Sequence, residues 1–151
     1  MKIEEAIKSK FNNEHQKALV NLFYTHSYLQ LKQKQYFKNY DLTPPQYNVL
    51  RILRGRFPEP ATVNLIIERM LDKSSNASRI VERLKQKNLI ERIQNESDRR
   101  AVNIIITKKG LSLLEQIDIE EKKINFGINI LSEQEATSLN DLLNKIRSEE
   151  K

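Results

Sequence analysis

Four short polar side chains stand close together in the stretch DKSSNASRIVERLKQKNL, residues 72–89. They are Ser74, Ser75, Asn76 and Ser78, and we expect them in the opening turns of one helix. Serine and asparagine are mediocre helix formers because their side chains compete for backbone hydrogen bonds. Such residues indicate hydrogen-bonding groups displayed to a ligand. The alternative is a serine-rich cap at the start of an ordinary bundle helix.

The excess positive charge of the chain surrounds this stretch. The net charge is +6 at pH 7, and residues 73–109 hold ten Lys or Arg against four Asp or Glu, so the rest of the chain is balanced. A cluster of this kind is either a solvated surface that keeps the protein in solution or a surface that binds a polyanion. Composition alone does not choose between them.

Several other classes of function find no support in the sequence. The chain has no cysteine, which excludes disulfides and thiolate chemistry. We find no run of the ~18–20 apolar residues that a membrane span needs and no signal peptide, so we expect a cytoplasmic protein. His15 and His26 lie ~16 Å apart along one helix, too far to share an ion. No catalytic grouping is present. We therefore predict no enzyme, no metal and no cofactor.

Helices are predicted before the polar stretch. Apolar spacing indicates one long helix, or two in tandem, from Phe11 to about Lys38. Thr43 caps the next helix, with Pro44 in its first turn and Gln46 completing a capping box, and this helix is predicted to end before Arg54. A short helix follows over 62–70, and the three residues LDK separate it from the serine-bearing helix.

A hairpin and two more helices are predicted after it. Asn88 suits a left-handed stop. The segments LIERIQ and AVNIIIT flank the polar tip NESDRR and predict a two-stranded hairpin. Thr107 caps a helix from Lys108 to about Asn125, which Gly127 breaks. A capping box of Ser132 and Glu135 begins the last helix.

Helix, short turn, helix and basic-tipped hairpin is the order of a winged helix-turn-helix. In that motif the second helix enters the major groove of DNA and its first turns contact base edges. Asparagine pairs with adenine and arginine with guanine, while serine hydroxyls and helix N-terminal amides bind phosphate. The predicted groove contacts are Ser74, Ser75, Asn76, Ser78 and Arg79. The predicted phosphate contacts are Arg83, Lys85 and Lys108.

The hairpin tip supplies the predicted wing residues Asp98, Arg99 and Arg100. Guanidinium groups on a protruding turn suit the negative potential of a minor groove. We interpret Asp98 as an intrachain brace that holds the guanidinium of Arg100 extended. The alternative is a generic charged turn in which the aspartate serves turn geometry.

The segments LTPPQYNVLRIL, SSNASRIVERLKQKNLIER and ESDRRAVNIIITKKG resemble the multiple-antibiotic-resistance regulator (MarR) family of bacterial transcription factors. The resemblance runs from about residue 40 to residue 114 and is most specific at the wing motif Asp98-Arg99-Arg100. It implies a homodimer that binds pseudo-palindromic promoter DNA, usually as a repressor, and is often released by a small phenolic or otherwise amphipathic effector. Asn88 replaces the family's common glycine, and the lack of cysteine excludes the thiol-based peroxide-sensing branch.

We thus expect a mostly α fold with a small β-hairpin wing, flanked by N- and C-terminal dimerisation helices. The expected parts are residues 1–40 and 110–151 for dimerisation and 41–109 for DNA binding. Apolar stripes at both ends need burial, which a dimer or packing within one subunit would provide. They consist of Leu19, Leu22, Phe23 and Leu29, and of Leu139, Leu142, Leu143 and Ile146.

Three tyrosines are candidates for an effector pocket. In similar proteins the pocket lies between the dimer helices and the winged domain, where the hydroxyls of Tyr24, Tyr28 and Tyr47 would orient a ligand. The alternative is that they are ordinary core or interface residues. For the whole protein, the rival hypothesis is a winged-helix module that binds protein and not DNA.

Overall fold

The computed structural model describes residues 1–98, 100–121 and 126–148. The chain divides into two compact units, residues 1–117 and 118–151. The helices are α1 (Ile3–Ile7), α2 (Glu14–Lys38), α3 (Pro44–Arg56), α4 (Val63–Arg69), α5 (Ala77–Gln86), α6 (Lys108–Glu121) and α7 (Glu133–Arg147), and the strands are β1 (Ala61–Thr62), β2 (Ile90–Gln94) and β3 (Val102–Ile106). In the described part no helix is long and apolar enough to cross a membrane.

The long second helix begins three residues later than predicted. Asn13 caps α2, with its side-chain oxygen accepting from the amide of Gln16 at 2.8 Å. The short helix α1, which periodicity did not predict, precedes it, and a Glu4–Lys17 ion pair links the two. At the other end of α2, Phe37 is 1% exposed and stacks against Tyr47 of α3 with 4.2 Å between ring centroids.

The predicted capping box of α3 is confirmed. The Thr43 hydroxyl accepts from the amide of Gln46, while the Gln46 side chain accepts from the amide of Thr43. The predicted end before Arg54 is wrong, because the helix continues to Arg56. Val49, Leu50 and Leu53 of α3 are completely buried or nearly so and form the centre of the winged domain's core.

The serine-bearing helix is shorter than predicted. It begins at Ala77, with Asn76 as its N-cap, so Ser74 and Ser75 lie in the preceding turn and not in the helix. Its end is as predicted. Asn88 has a φ of 58°, and the amides of Asn88 and Leu89 bond the carbonyls of Lys85 and Leu84, which is the hydrogen-bond pattern of a Schellman motif.

The sheet has three strands and not the predicted two. β2 and β3 form the expected antiparallel hairpin, with Arg92 opposite Ile104. The two-residue strand β1 adds to the other edge of β3, where Ala61 lies opposite Ile104, so the strand order is β1-β3-β2. Ile104 is fully buried at the centre. The sheet thereby anchors the hairpin on the same core as α3 and α5.

The last two predicted helices are confirmed at their starts. The Thr107 hydroxyl accepts from the amide of Gly110 at 3.1 Å at the beginning of α6. The predicted continuation through Ile124 to Asn125 lies outside the described residues. Gly127 has a φ of 99° and precedes a short 3₁₀ turn, and the capping box of Ser132 and Glu135 begins α7. The three-part domain division stays a prediction.

Candidate nucleic-acid interface

Helix α5 has one face in the core and the other in solvent. Ala77, Val81 and Leu84 are at most 4% exposed, which fixes the rotation of the helix about its axis. Ser78 and Arg79 in its first turn are exposed, as is Arg83 one turn further on. The side chains of α5 that could form hydrogen bonds with DNA are therefore accessible, and burial of the opposite face holds them in place.

Most of the short polar side chains in the turn before α5 form hydrogen bonds within the protein. The Asp72 carboxylate accepts from the hydroxyls of Ser74 and Ser75 at 2.6 and 2.9 Å. The Asn76 side-chain oxygen accepts from the amide of Arg79 at 3.0 Å. Only the Asn76 amide nitrogen remains for a base, whereas bidentate pairing with adenine needs both groups. Ser78 and Arg79 are exposed and their side chains make no hydrogen bond within the described part of the chain, so of the predicted set these two are available for groove contact.

Two residues that sequence reasoning missed build this turn. Besides the two hydroxyls, the Asp72 carboxylate accepts from the backbone amide of Ser74 at 2.9 Å, and the Ser74 hydroxyl is the main cause that lowers the pKa of Asp72. Lys73 donates to the carbonyl of Ile67 at 3.1 Å and to that of Glu68, so it caps the end of α4. The signal was present, because an aspartate two and three residues before serines is typical of a side-chain-bonded turn.

The hairpin tip shows a different role for Asp98 from the one predicted. Its carboxylate accepts from the backbone amide of Arg100 at 2.9 Å, and its carbonyl accepts from the amide of Ala101. Among the described residues it makes no ion pair with the Arg100 guanidinium, so the interpretation as a guanidinium brace is wrong and Asp98 serves turn geometry. Arg100 is exposed. Arg99 lies outside the described residues.

The cations of the winged domain fall into two groups. Lys87 bonds the carbonyl and carboxylate of Asp41, Lys109 donates to the carbonyl of Lys87 at 3.0 Å, and Arg92 pairs with Glu82. These three act within the fold, as does Lys73 at the end of α4. In the described part of the chain the side chains of the predicted phosphate contacts make no hydrogen bond or ion pair, and all three are exposed. They are Arg83, Lys85 and Lys108.

An open cleft of about 950 Å³ lies between α2, the start of α3 and the turn before α5. Its lining includes Leu29, Pro44 and Met70 as apolar residues, with Lys34 and His26 as basic ones. None of the predicted effector tyrosines lines it. Tyr24 and Tyr28 are 41% and 48% exposed elsewhere on α2, and the Tyr47 hydroxyl accepts from Arg51 at 2.9 Å while its ring stacks on Phe37. Within the described ranges no three His, Cys, Asp or Glu residues converge as metal ligands do.

Comparison with known proteins points to one family. The MarR family model matches residues 40–101. The HTH-type transcriptional regulator MgrA of Staphylococcus aureus is 32% identical over 110 residues, which are 73% of each chain. A MarR-like transcription regulator from Bacillus cereus superimposes with a TM-score of 0.77 at 22% identity, covering 91% of this chain and 99% of that one. The organohalide-sensing regulator RdhR, solved with 2,4-dichlorophenol bound, gives a TM-score of 0.78 at 17% identity, covering 91% and 82%.

Three observations indicate a DNA-binding regulator: the exposed face of α5, the arginine-bearing hairpin and the similarity to MgrA. The predicted resemblance is confirmed, as are the mostly helical winged-helix fold and the expectation that the protein is a regulator and not an enzyme. The chain belongs to the MarR family of DNA-binding transcriptional regulators.

Proposed function

We propose that the protein is a homodimeric repressor of bacterial transcription that binds pseudo-palindromic operator DNA in the cytoplasm and is released by a small amphipathic effector. The observation that carries this proposal is the pairing of a buried and an exposed face on α5. Ser78, Arg79 and Arg83 project into solvent from a helix whose other face is fixed in the core. Such a helix meets the major groove with little loss of conformational freedom.

Each predicted contact has a role in this proposal. Ser78 and Arg79 contact base edges, and the Asn76 amide nitrogen donates one hydrogen bond there. The backbone at Ser74 and Ser75 approaches the phosphates beside the start of α5. Arg83, Lys85 and Lys108 neutralise phosphates, while Arg99 and Arg100 of the hairpin enter the minor groove. Polymerase is then excluded by steric overlap.

The homodimer is proposed from apolar surface on the terminal helices. On α2, Leu19 and Phe23 are 54% and 63% exposed, and on α7, Leu142 and Ile146 are 61% and 64% exposed. On each helix the two side chains are four positions apart and share one face, and exposed apolar faces of this kind are typical of interaction sites. A twofold dimer also gives two copies of α5, which match two half-sites about one helical turn apart. Sedimentation equilibrium at micromolar concentration tests this step, and a chain that stays monomeric there contradicts it.

The open cleft supports the effector proposal. Its apolar residues suit the body of an amphipathic ligand, and Lys34 suits an acidic group, because the Lys34 side chain has no bonded partner within the described ranges. Asp72 and Ser74 of the turn before α5 also line the cleft. An occupant therefore contacts the segment that leads into the DNA-facing helix and favours a dimer whose two helices no longer match the half-sites. The bound 2,4-dichlorophenol in RdhR is a ligand of the class expected.

Selection of bound fragments from a random duplex library, followed by titration of the selected sequence, tests the proposal. We expect a pseudo-palindromic consensus, and an affinity that falls steeply between about 50 and about 200 mM salt because counterions are released. An unrelated duplex of equal length is the control. Equal affinity for both duplexes, or affinity independent of salt, would favour the rival hypothesis of a protein-binding winged helix.

A further inference from the structure

The turn between α4 and α5 is organised by a single carboxylate. Both oxygens of Asp72 are used: one accepts from the amide and the hydroxyl of Ser74 at 2.9 and 2.6 Å, and the other accepts from the hydroxyl of Ser75 at 2.9 Å. Asn76, which follows Ser75, is the N-cap of α5. Asp72 thus sets the path of the chain up to the residue at which α5 begins.

The charge of Asp72 works against DNA binding. The side chain is exposed at the edge of the cationic segment 73–109, where a carboxylate repels phosphates and lowers the affinity for any duplex. If electrostatics were its only effect, removing the charge would strengthen DNA binding. The hydrogen bonds of Asp72 act in the opposite direction, because they hold the segment that α5 follows.

We propose that Asp72 is a positioning residue for operator recognition, which holds the turn of Ser74 and Ser75 in the conformation that aims α5 into the major groove. This inference rests on the proposed function, in which α5 is the groove-contacting helix. Asp72 itself contacts no base and acts through the two serines and the N-cap that follows them.

The carboxylate is the side chain that this role needs. Asparagine offers one acceptor oxygen, so it keeps the bonds from Ser74 and loses the one from Ser75, and alanine keeps none. The ionised form is present at neutral pH, since the Ser74 and Ser75 hydroxyls and the Ser74 amide lower the pKa of Asp72. We therefore expect the turn to be most ordered with Asp at position 72, less ordered with Asn and least ordered with Ala.

The test compares Asp72→Ala, Asp72→Asn and Glu68→Gln with the wild type in affinity for the selected operator and for an unrelated duplex at one salt concentration. Glu68 is exposed on α4, and its carboxylate has no bonded partner in the described part of the chain, so Glu68→Gln is a matched loss of charge. We expect the Glu68→Gln control to bind each duplex as tightly as the wild type does, or slightly more tightly, and so to keep the operator preference of the wild type. Asp72→Ala is expected to lose about tenfold in operator affinity and none for the unrelated duplex, with Asp72→Asn between them.

The ratio of the two affinities separates positioning from general damage to the fold. Partial unfolding lowers the active fraction for both duplexes and leaves the ratio unchanged, whereas a misdirected α5 lowers the ratio. If Asp72→Ala does not fold, the affinity ratio of the isosteric variant Asp72→Asn decides. We also expect the Ser74 amide of free Asp72→Asn to exchange faster than that of the free wild type. The inference is overturned if both Asp72 variants have the same ratio of operator affinity to unrelated-duplex affinity as Glu68→Gln. A wild type without operator preference overturns the proposed function instead.

Discussion

The Oε2 atom of Glu82 lies 2.8 Å from Nη2 of Arg92. This ion pair connects the middle of α5 to β2, the first strand of the hairpin, and so links the two elements proposed to contact different grooves. Both side chains are nearly half exposed. Solvent therefore screens the pair, and we expect it to contribute little to the stability of the fold.

A double-mutant cycle of Glu82→Gln and Arg92→Gln measures this link. We expect a coupling free energy of about 0.2–1 kcal/mol in urea unfolding, because exposed ion pairs contribute in that range, and we expect it to fall as salt is raised. Glu91→Gln, an exposed residue of the same strand, combined with Arg92→Gln is the control cycle and should show no coupling. Equal coupling in both cycles would contradict a specific Glu82–Arg92 pair.

Arg100→Ala is expected to weaken binding to every duplex. Arg100 is exposed at the hairpin tip, and its guanidinium in the minor groove offsets about one phosphate charge, so its loss lowers the slope of log affinity against log salt by roughly one. Anisotropy titrations of the operator and an unrelated duplex at several salt concentrations measure both slopes. Lys10→Ala, a loss of charge near the N-terminus, serves as control and should leave the slope unchanged. An unchanged slope for Arg100→Ala would remove the hairpin from the interface.

Asn76 separates a structural role from recognition. Its side chain caps α5 at 3.0 Å, so Asn76→Ala is expected to lower the free energy of unfolding by about 1 kcal/mol, while Asn76→Ser, which keeps a capping oxygen, changes it little. Both variants lose the amide nitrogen proposed to donate to a base. If that contact exists, both lose operator affinity to a similar degree; if only Asn76→Ala loses it, the residue acts through the cap alone.

The pH dependence of α7 stability follows from its capping box. The backbone amide of Ser132, and then its hydroxyl, lower the pKa of Glu135 below its ordinary value of 4.5. Because the folded-state pKa is the lower one, the stabilisation is complete above the unfolded value and is lost as pH falls through the folded value. The difference in unfolding free energy between wild type and Glu135→Gln should be constant near neutral pH and shrink in acid. A difference that is the same at every pH would contradict this.

Features that depend on neighbours in sequence were predicted well. The Thr43 and Ser132 capping boxes and the left-handed Asn88 each involve residues within five positions of one another, so the sequence contains the whole interaction. The wing and the helix-turn-helix were also predicted correctly, because their helices and strands have clear apolar periodicity and the positive charge is concentrated around them.

Features that depend on contacts distant in sequence, or on competition between neighbouring residues for one structural position, were missed. β1 has two residues and no periodicity, and it exists because Ala61 pairs with Ile104 more than forty positions away. The start of α5 was misplaced because Ser74, Ser75 and Asn76 are all good N-caps. Asp72 binds the two serines, which leaves Asn76 as the cap. The effector tyrosines are predicted from residue type and from the place of the pocket in similar proteins. None of them lines the cleft in this structure, and their role in effector binding stays a prediction.

Two glycines provide a matched pair for testing the packing around the hairpin. At Gly110 in the first turn of α6, a Cβ would overlap the carbonyl oxygen of Leu89 and lie 2.7 Å from Cγ1 of Ile106, whereas at Gly55 in α3 it would meet nothing within 4 Å. Gly110→Ala is thus expected to lower the free energy of unfolding by about 1–3 kcal/mol, since a well-packed core must shift to admit it. Gly55→Ala is expected to raise it by up to about 1 kcal/mol through helix propensity.

The same pair bears on DNA binding. Leu89 and Ile106 are the residues at which the hairpin joins α5 and α6, so the shift that Gly110→Ala forces is expected to move the hairpin relative to α5. Operator affinity should then fall further than affinity for an unrelated duplex, while Gly55→Ala should alter neither. Urea unfolding and paired titrations at one salt concentration measure both effects. An unfolding free energy for Gly110→Ala equal to or above that of the wild type would show that the space around Gly110 is larger than the Leu89 and Ile106 contacts imply.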